Sequence, residues 1–107
     1  MFVLKECDGN FTWPVEIRVP ADGGHRKHEI KVTFKMIDQD RIDGLLASAD
    51  VDLLREVVVG WSGVQDEDGN EIAFSDDVLG RIIKKAFVRT AMAREYIRGI
   101  NGLDRKN

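Results

Sequence analysis

Phe11-Thr12-Trp13-Pro14-Val15-Glu16-Ile17-Arg18-Val19 sets an apolar side chain at every second position. Ile30, Val32, Phe34 and Met36 repeat the pattern, with Lys31, Thr33 and Lys35 between them. Successive strand residues point to opposite faces, so a period of two means a strand with one apolar and one polar side. Pro20-Ala21-Asp22-Gly23-Gly24 separates the two runs and has turn chemistry. Together these segments predict an antiparallel β-hairpin. Pro14 has no amide hydrogen to give to a ladder, which puts its strand at a sheet edge or at a bulge. Phe2 and Leu4 are candidates for a short third strand.

After Met36 the period lengthens. Ile42, Leu45, Leu46 and Ala49 have helical spacing behind Asp38 as N-cap. Gly44 weakens that helix by about 1 kcal/mol relative to alanine. Asp50 is expected to cap a second helix, with Val51, Leu54, Val57, Val58 and Trp61 on one face and Gly60 ending it in a left-handed conformation. Ser75 is expected to cap a third, with Asp76 and Asp77 in the first turn, where the helix dipole favours negative charge. Val78, Leu79, Ile82 and Ile83 form its apolar stripe. Lys84-Lys85-Ala86 interrupts the pattern before a last helix over about 87–99. The expected fold class is α+β: an N-terminal hairpin or three-stranded antiparallel sheet packed with three to four C-terminal helices. The 107 residues make one domain, with a hairpin region at 1–37, a helical region at 38–100 and a flexible tail at 101–107.

The last helix has an unusually broad apolar surface. Val88, Met92 and Tyr96 form one stripe, and Ala93, Ile97 and Ile100 form another beside it. Arg89 interrupts this face, while Arg94 and Arg98 fall on the opposite side. A stripe this wide fits a helix held between the hairpin and another helix. It also fits a helix whose second stripe meets a partner or another copy. These six residues are therefore the candidate partner-binding or self-association surface.

Charge is distributed unevenly. The net of −3 divides into +1 over residues 1–37, −8 over 38–74 and +4 over 75–107. The acidic middle and basic C-terminal region should attract each other, within a chain or between chains. A pI near 5.3 and an acidic middle would repel phosphate, which argues against nucleic acid as a partner. No apolar run is long enough to span a membrane, and the N-terminal residues lack the pattern of a signal peptide. Cys7 is the lone cysteine, so no internal disulfide is possible.

Catalytic and metal chemistry is sparse. Asp66, Glu67, Asp68, Asn70 and Glu71 crowd oxygen ligands together, but a calcium loop starting at Asp66 would need glycine where Glu71 stands and glutamate where Asp77 stands. Asp68-Gly69 reads instead as a tight turn. His25 and His28 flank the hairpin turn without the third or fourth ligand of a zinc site. Cys7 is expected to be an inert thiol. No phosphate-binding loop, dinucleotide fingerprint or nucleophile elbow occurs. The expectation is a non-enzymatic protein with no cofactor.

Three segments resemble the tail assembly chaperones of long-tailed bacteriophages, and most closely those of HK97-like phages. They are Phe11-Thr12-Trp13-Pro14-Val15, then Val58-Val59-Gly60-Trp61-Ser62-Gly63-Val64, then Asp68-Gly69-Asn70-Glu71-Ile72-Ala73-Phe74-Ser75. The similarity spans about 11–100. It implies a self-associating late protein of virion morphogenesis, made in the cytoplasm of the infected bacterial host and absent from the mature virion. Such a protein binds the tape measure protein and keeps it soluble until tail tube polymerisation. The resemblance also implies a longer form made by ribosomal frameshifting, whose extension contacts the tail tube protein. Arg105-Lys106-Asn107 could be encoded by an adenine-rich run on which such slippage occurs. The alternatives are a structural tail or head–tail joining protein and a small nucleic-acid-binding regulator.

Overall fold

The structure, a computed structural model, describes residues 1–104. A single 3-10 turn at Leu4–Cys7 precedes strands β1 (Asn10–Ala21) and β2 (Gly24–Lys35). Helices α1 (Gln39–Ser48) and α2 (Asp50–Val57) follow, then β3 (Val58–Ser62), α3 (Asp76–Ile82) and α4 (Ala86–Ile100). The fold is α+β: a three-stranded antiparallel sheet in the order β1-β2-β3, with four helices.

The hairpin follows its alternation. β1 and β2 pair in unbroken register, from Asn10 opposite Lys35 to Ala21 opposite Gly24, and Gly23 supplies the positive φ of the turn. Val15, Val32 and Phe34 are fully buried, and Ile17 and Ile30 nearly so. On the other face the Thr12 and Thr33 hydroxyls meet at 3.2 Å. β1 is an edge strand, as Pro14 requires. Residues 22–29 are exposed, so the hairpin tip projects past the core.

The third strand is not where the sequence put it. Phe2 lies before the Leu4–Cys7 turn, Leu4 lies within it, and both side chains are exposed. The strand that completes the sheet is Val58–Ser62, expected above to be the end of a helix. A β-bulge explains the misreading. Phe34 pairs with Val58 but Thr33 pairs with Gly60, which leaves Val59 as the extra residue. The bulge resets the alternation, so Val58 and Trp61 sit opposite core-facing Phe34 and Val32 although they are three apart. A spacing of three is also a helical spacing, and here the two look alike in sequence. Gly60 therefore terminates no helix. The left-handed glycine is Gly63, at φ 92, just past the strand.

The helix caps match in part. Ser75 Oγ accepts from the Val78 amide at 3.2 Å, so α3 begins as its sequence predicts. Asp38 occupies the N-cap position of α1 without a side-chain cap bond. The N-cap of α2 is Ala49, not Asp50, whose carboxylate takes the Arg89 guanidinium at 3.2 Å instead. That pair is the one place where the acidic middle meets the basic C-terminal region among the described ion pairs.

α4 lies against β1 and α2. Its seat is aromatic: Tyr96 packs at 5.1 Å from Phe34 and 6.1 Å from Phe11, and its hydroxyl donates to the Lys35 carbonyl at 3.0 Å. Gly99 allows this approach. A Cβ there would lie 2.8 Å from the Phe11 ring and 3.2 Å from the Trp13 ring. The helix ends in a Schellman motif. Leu103 N–H bonds the Arg98 carbonyl, Gly102 N–H bonds the Gly99 carbonyl, and Gly102 takes φ 72. The segment expected as a flexible tail thus starts with a hydrogen-bonded cap at 101–103. The proposed slippage site at 105–107 lies outside the described residues. No helix among the described residues is long and apolar enough to cross a membrane.

Two glycines should respond in opposite directions to the same change. Gly99→Ala should destabilise by about 1–3 kcal/mol, because the new methyl meets the half-buried Phe11 and Trp13 rings, which must shift to admit it. Gly44→Ala meets nothing within 4 Å and should stabilise by about 0.4–1 kcal/mol. Urea denaturation of both variants checks the pair.

Burial pushes the Tyr96 phenol above its ordinary pKa, and the backbone amide of Ile37 opposes this in smaller part. The folded protein therefore holds this proton more tightly than the unfolded chain. The resulting stability is whole below the unfolded pKa of about 10 and is lost as pH rises through the folded pKa. Folding stability should fall as pH rises past about 10, and Tyr96→Phe should remove this part of the loss. Tyr96 is the only tyrosine, so tyrosinate absorbance follows it alone.

Candidate partner-binding surface

The six residues picked out on α4 fall into two groups. Val88, Met92 and Tyr96 are buried in the domain's own core, so this stripe is the inward one. Ala93, Ile97 and Ile100 are half-buried and pack on the core margin. They occupy the same flank of α4 as Arg89, which is tied to Asp50 of α2. The sandwiched arrangement thus accounts for Met92 and Tyr96 in full and for most of Val88. The second stripe keeps part of its apolar surface open.

A second apolar feature lies where α3 meets α4. Val64, Ile72, Val78, Ile82 and Val88 line a groove of about 480 Å³, with Gln65, Arg81 and Lys85 completing it. Its first wall is held by Trp61. The indole N–H donates to the Ile72 carbonyl at 2.9 Å, and the ring meets Phe74 edge-on at 4.9 Å. Gly63 N–H bonds Glu71 at 2.8 Å, and Ile72 N–H bonds the Val64 carbonyl at 2.7 Å. Trp61 is therefore a half-buried clamp that joins the segment after β3 to the segment before α3.

The acidic residues inside this loop act as turn formers. One Asp66 carboxylate oxygen accepts from the amides of Asp68 and Asn70 at 2.9 and 3.0 Å, and Gly69 has φ 82. His25, His28 and Cys7 are exposed. His25 borders a shallow cleft with Glu16, Arg18, Phe87 and Arg94.

Two features were missed in the sequence. Glu95 is only 4% exposed, and its carboxylate accepts the Trp13 indole N–H at 3.0 Å. Arg94 and Arg98 flank it at 3.6 and 3.7 Å. A signal was present, since Glu95 falls within the arc of Ala91, Met92 and Tyr96 at 100° per residue. The other missed feature is the N-terminal arm. Met1, Phe2, Val3 and Leu4 are all exposed, Phe2 by 71% and Leu4 by 79%.

Comparison with protein-family models, curated proteins and solved structures found no match.

Glu95→Ala should destabilise the domain by about 1–3 kcal/mol, because it leaves the part-buried indole N–H of Trp13 without its acceptor. Glu95→Gln keeps an acceptor and loses only the partly exposed ion pairs, worth about 0–1 kcal/mol. Equal losses for the two variants in urea titrations would show that charge, not the hydrogen bond, dominates at this position.

Proposed function

We propose that this chain is a tail assembly chaperone of an HK97-like, long-tailed bacteriophage. In this reading it is a non-enzymatic holdase without a cofactor. It binds the tape measure protein and keeps it soluble until the tail tube polymerises. It works in the cytoplasm of the infected bacterial host, self-associates and does not remain in the mature virion. A longer frameshifted form would carry the contact to the tail tube protein.

The observation that supports this reading most is how the resembling segments sit together. Val58-Val59-Gly60-Trp61-Ser62-Gly63-Val64 and Asp68-Gly69-Asn70-Glu71-Ile72-Ala73-Phe74-Ser75 form one clamped unit around Trp61, not scattered matches. A chaperone for a long helical client also needs apolar surface that its own core leaves open. Ala93, Ile97 and Ile100 provide a half-open apolar flank, with exposed Leu103 just beyond it in the chain. In this reading that flank takes apolar faces of the client helix.

Co-expression with the tape measure gene of the same genome should keep the tape measure protein soluble and co-purify it with this chain. Ile97→Asp should weaken the co-purification at least about tenfold, a loss of 1.4 kcal/mol or more in binding. A tape measure protein equally insoluble with and without this chain would overturn the reading. So would finding the chain as a stoichiometric component of purified tails.

A further inference from the structure

The groove between the Trp61 clamp and α3 has two unlike rims. One wall is Val64, Gln65 and Ile72, on a ribbon that folds back on itself. Asp66 and Glu71 adjoin those lining residues in the chain, and Glu67 and Asp68 lie in the turn between them. Residues 64–72 hold these four carboxylates and no cation, and 65–71 are all exposed. The other wall is Val78 and Ile82 of α3 with Val88 of α4, and Arg81 and Lys85 line it as well. Lys84 stands exposed beside them. The nearest carboxylates in the chain are Asp76 and Asp77. Asp76 is turned about 160° from Val78 around the helix, which leaves Asp77 alone against three cations. None of these charged groups enters an ion pair among the described residues. An acidic rim and a basic rim thus flank an aliphatic floor without touching each other.

This arrangement selects its occupant. An added strand would need a free row of backbone groups, but the ribbon spends its own internally. Asp66 N–H bonds the Asn70 carbonyl at 2.9 Å, and Ile72 N–H bonds the Val64 carbonyl at 2.7 Å. A small ligand is held by polar groups that converge on it, whereas the charges here stand apart on two rims. Val64, Ile72, Val78 and Ile82 are only half-buried, so whatever lies on them keeps its far side in water. An amphipathic helix does that, with an apolar stripe down and charges along both flanks. Flanking charges of this kind set partner choice and orientation where helices pair.

We propose that this groove binds an amphipathic helix of a partner protein whose aliphatic stripe has opposite charges on its two flanks. Lysines or arginines on one flank lie toward Asp66 and Glu71, and carboxylates on the other lie toward Arg81 and Lys85. Running the helix the other way would set like charges together at both rims, so the same pattern fixes its direction. The groove is separate from the flank of Ala93, Ile97 and Ile100, and the inference does not rest on the identity of any client.

Synthetic helical peptides about four turns long test this on the full-length chain. Each carries the same leucine stripe and a lactam bridge on its outer face. One has lysines on one flank and glutamates on the other, a second has glutamates on both, and a third has lysines on both. In fluorescence anisotropy the mixed peptide should bind at least about tenfold tighter than either of the others, and its advantage should shrink as salt rises. Its amide shift changes should fall on Val64, Ile72, Val78 and Ile82. The double substitution Arg81→Glu and Lys85→Glu touches only exposed side chains and should leave the circular dichroism unchanged. It should move the preference to the peptide with lysines on both flanks. Equal affinity for the three peptides, or binding of none, overturns the proposal. So does a preference that the double substitution leaves unchanged, or shift changes confined to Ala93, Ile97 and Ile100.

Discussion

The contact on which the rest of this domain depends is the seating of Tyr96 on the end of the hairpin. Its ring closes an aromatic group with Phe11 and Phe34, and its hydroxyl is bound to the Lys35 carbonyl. The ring contributes apolar burial and the hydroxyl contributes direction, since a buried phenol needs a partner for its O–H. One side chain thereby fixes both how close α4 comes to the sheet and where along it the helix stops. Gly99, one turn further on, keeps the backbone close enough for Phe11 and Trp13 to pack against it. Glu95, on the same face, accepts the Trp13 indole N–H. These three positions on α4 act on two neighbouring aromatic residues of β1.

Once α4 is placed, the surfaces open to other molecules follow. Its inward stripe is largely buried against β1 and α2, and the flank of Ala93, Ile97 and Ile100 stays partly open. Its first turn contributes Val88 to the groove shared with α3. The other wall of that groove depends on Trp61, whose indole hydrogen bond holds the turn after β3 against the approach to α3. Stability and accessible apolar surface are thus set by the same few contacts.

Much of this was legible in the sequence. Strict alternation gave both strands of the hairpin, because each has one buried and one solvated face. Ser75 and the acidic pair behind it gave the start of α3. The length and breadth of the apolar pattern gave α4. The failures have physical causes. A bulge at Val59 turned a period of two into a spacing of three and made a strand look like a helix end. Asp50 looked like a cap, but its carboxylate had a long-range partner in Arg89 that no local pattern encodes. Glu95 was passed over because a charged residue normally signals solvent, and only the fold brings Trp13 to it. The open groove was invisible because its lining comes from four separate stretches of chain, and the apolar arm was mistaken for a strand because exposure is not written in residue type.

The two borders of the sheet have one further consequence. Backbone groups left unpaired along a sheet border are a template on which any extended chain can add. Here β1 carries Pro14 and Pro20, which remove two donors from its twelve residues. At the opposite border β3 has five residues and a bulge among them. Neither border offers a long, regular row of free amides and carbonyls. The domain is thereby guarded against stacking strand upon strand into fibrils, and its associations are left to side chains, where they can be selective and reversible.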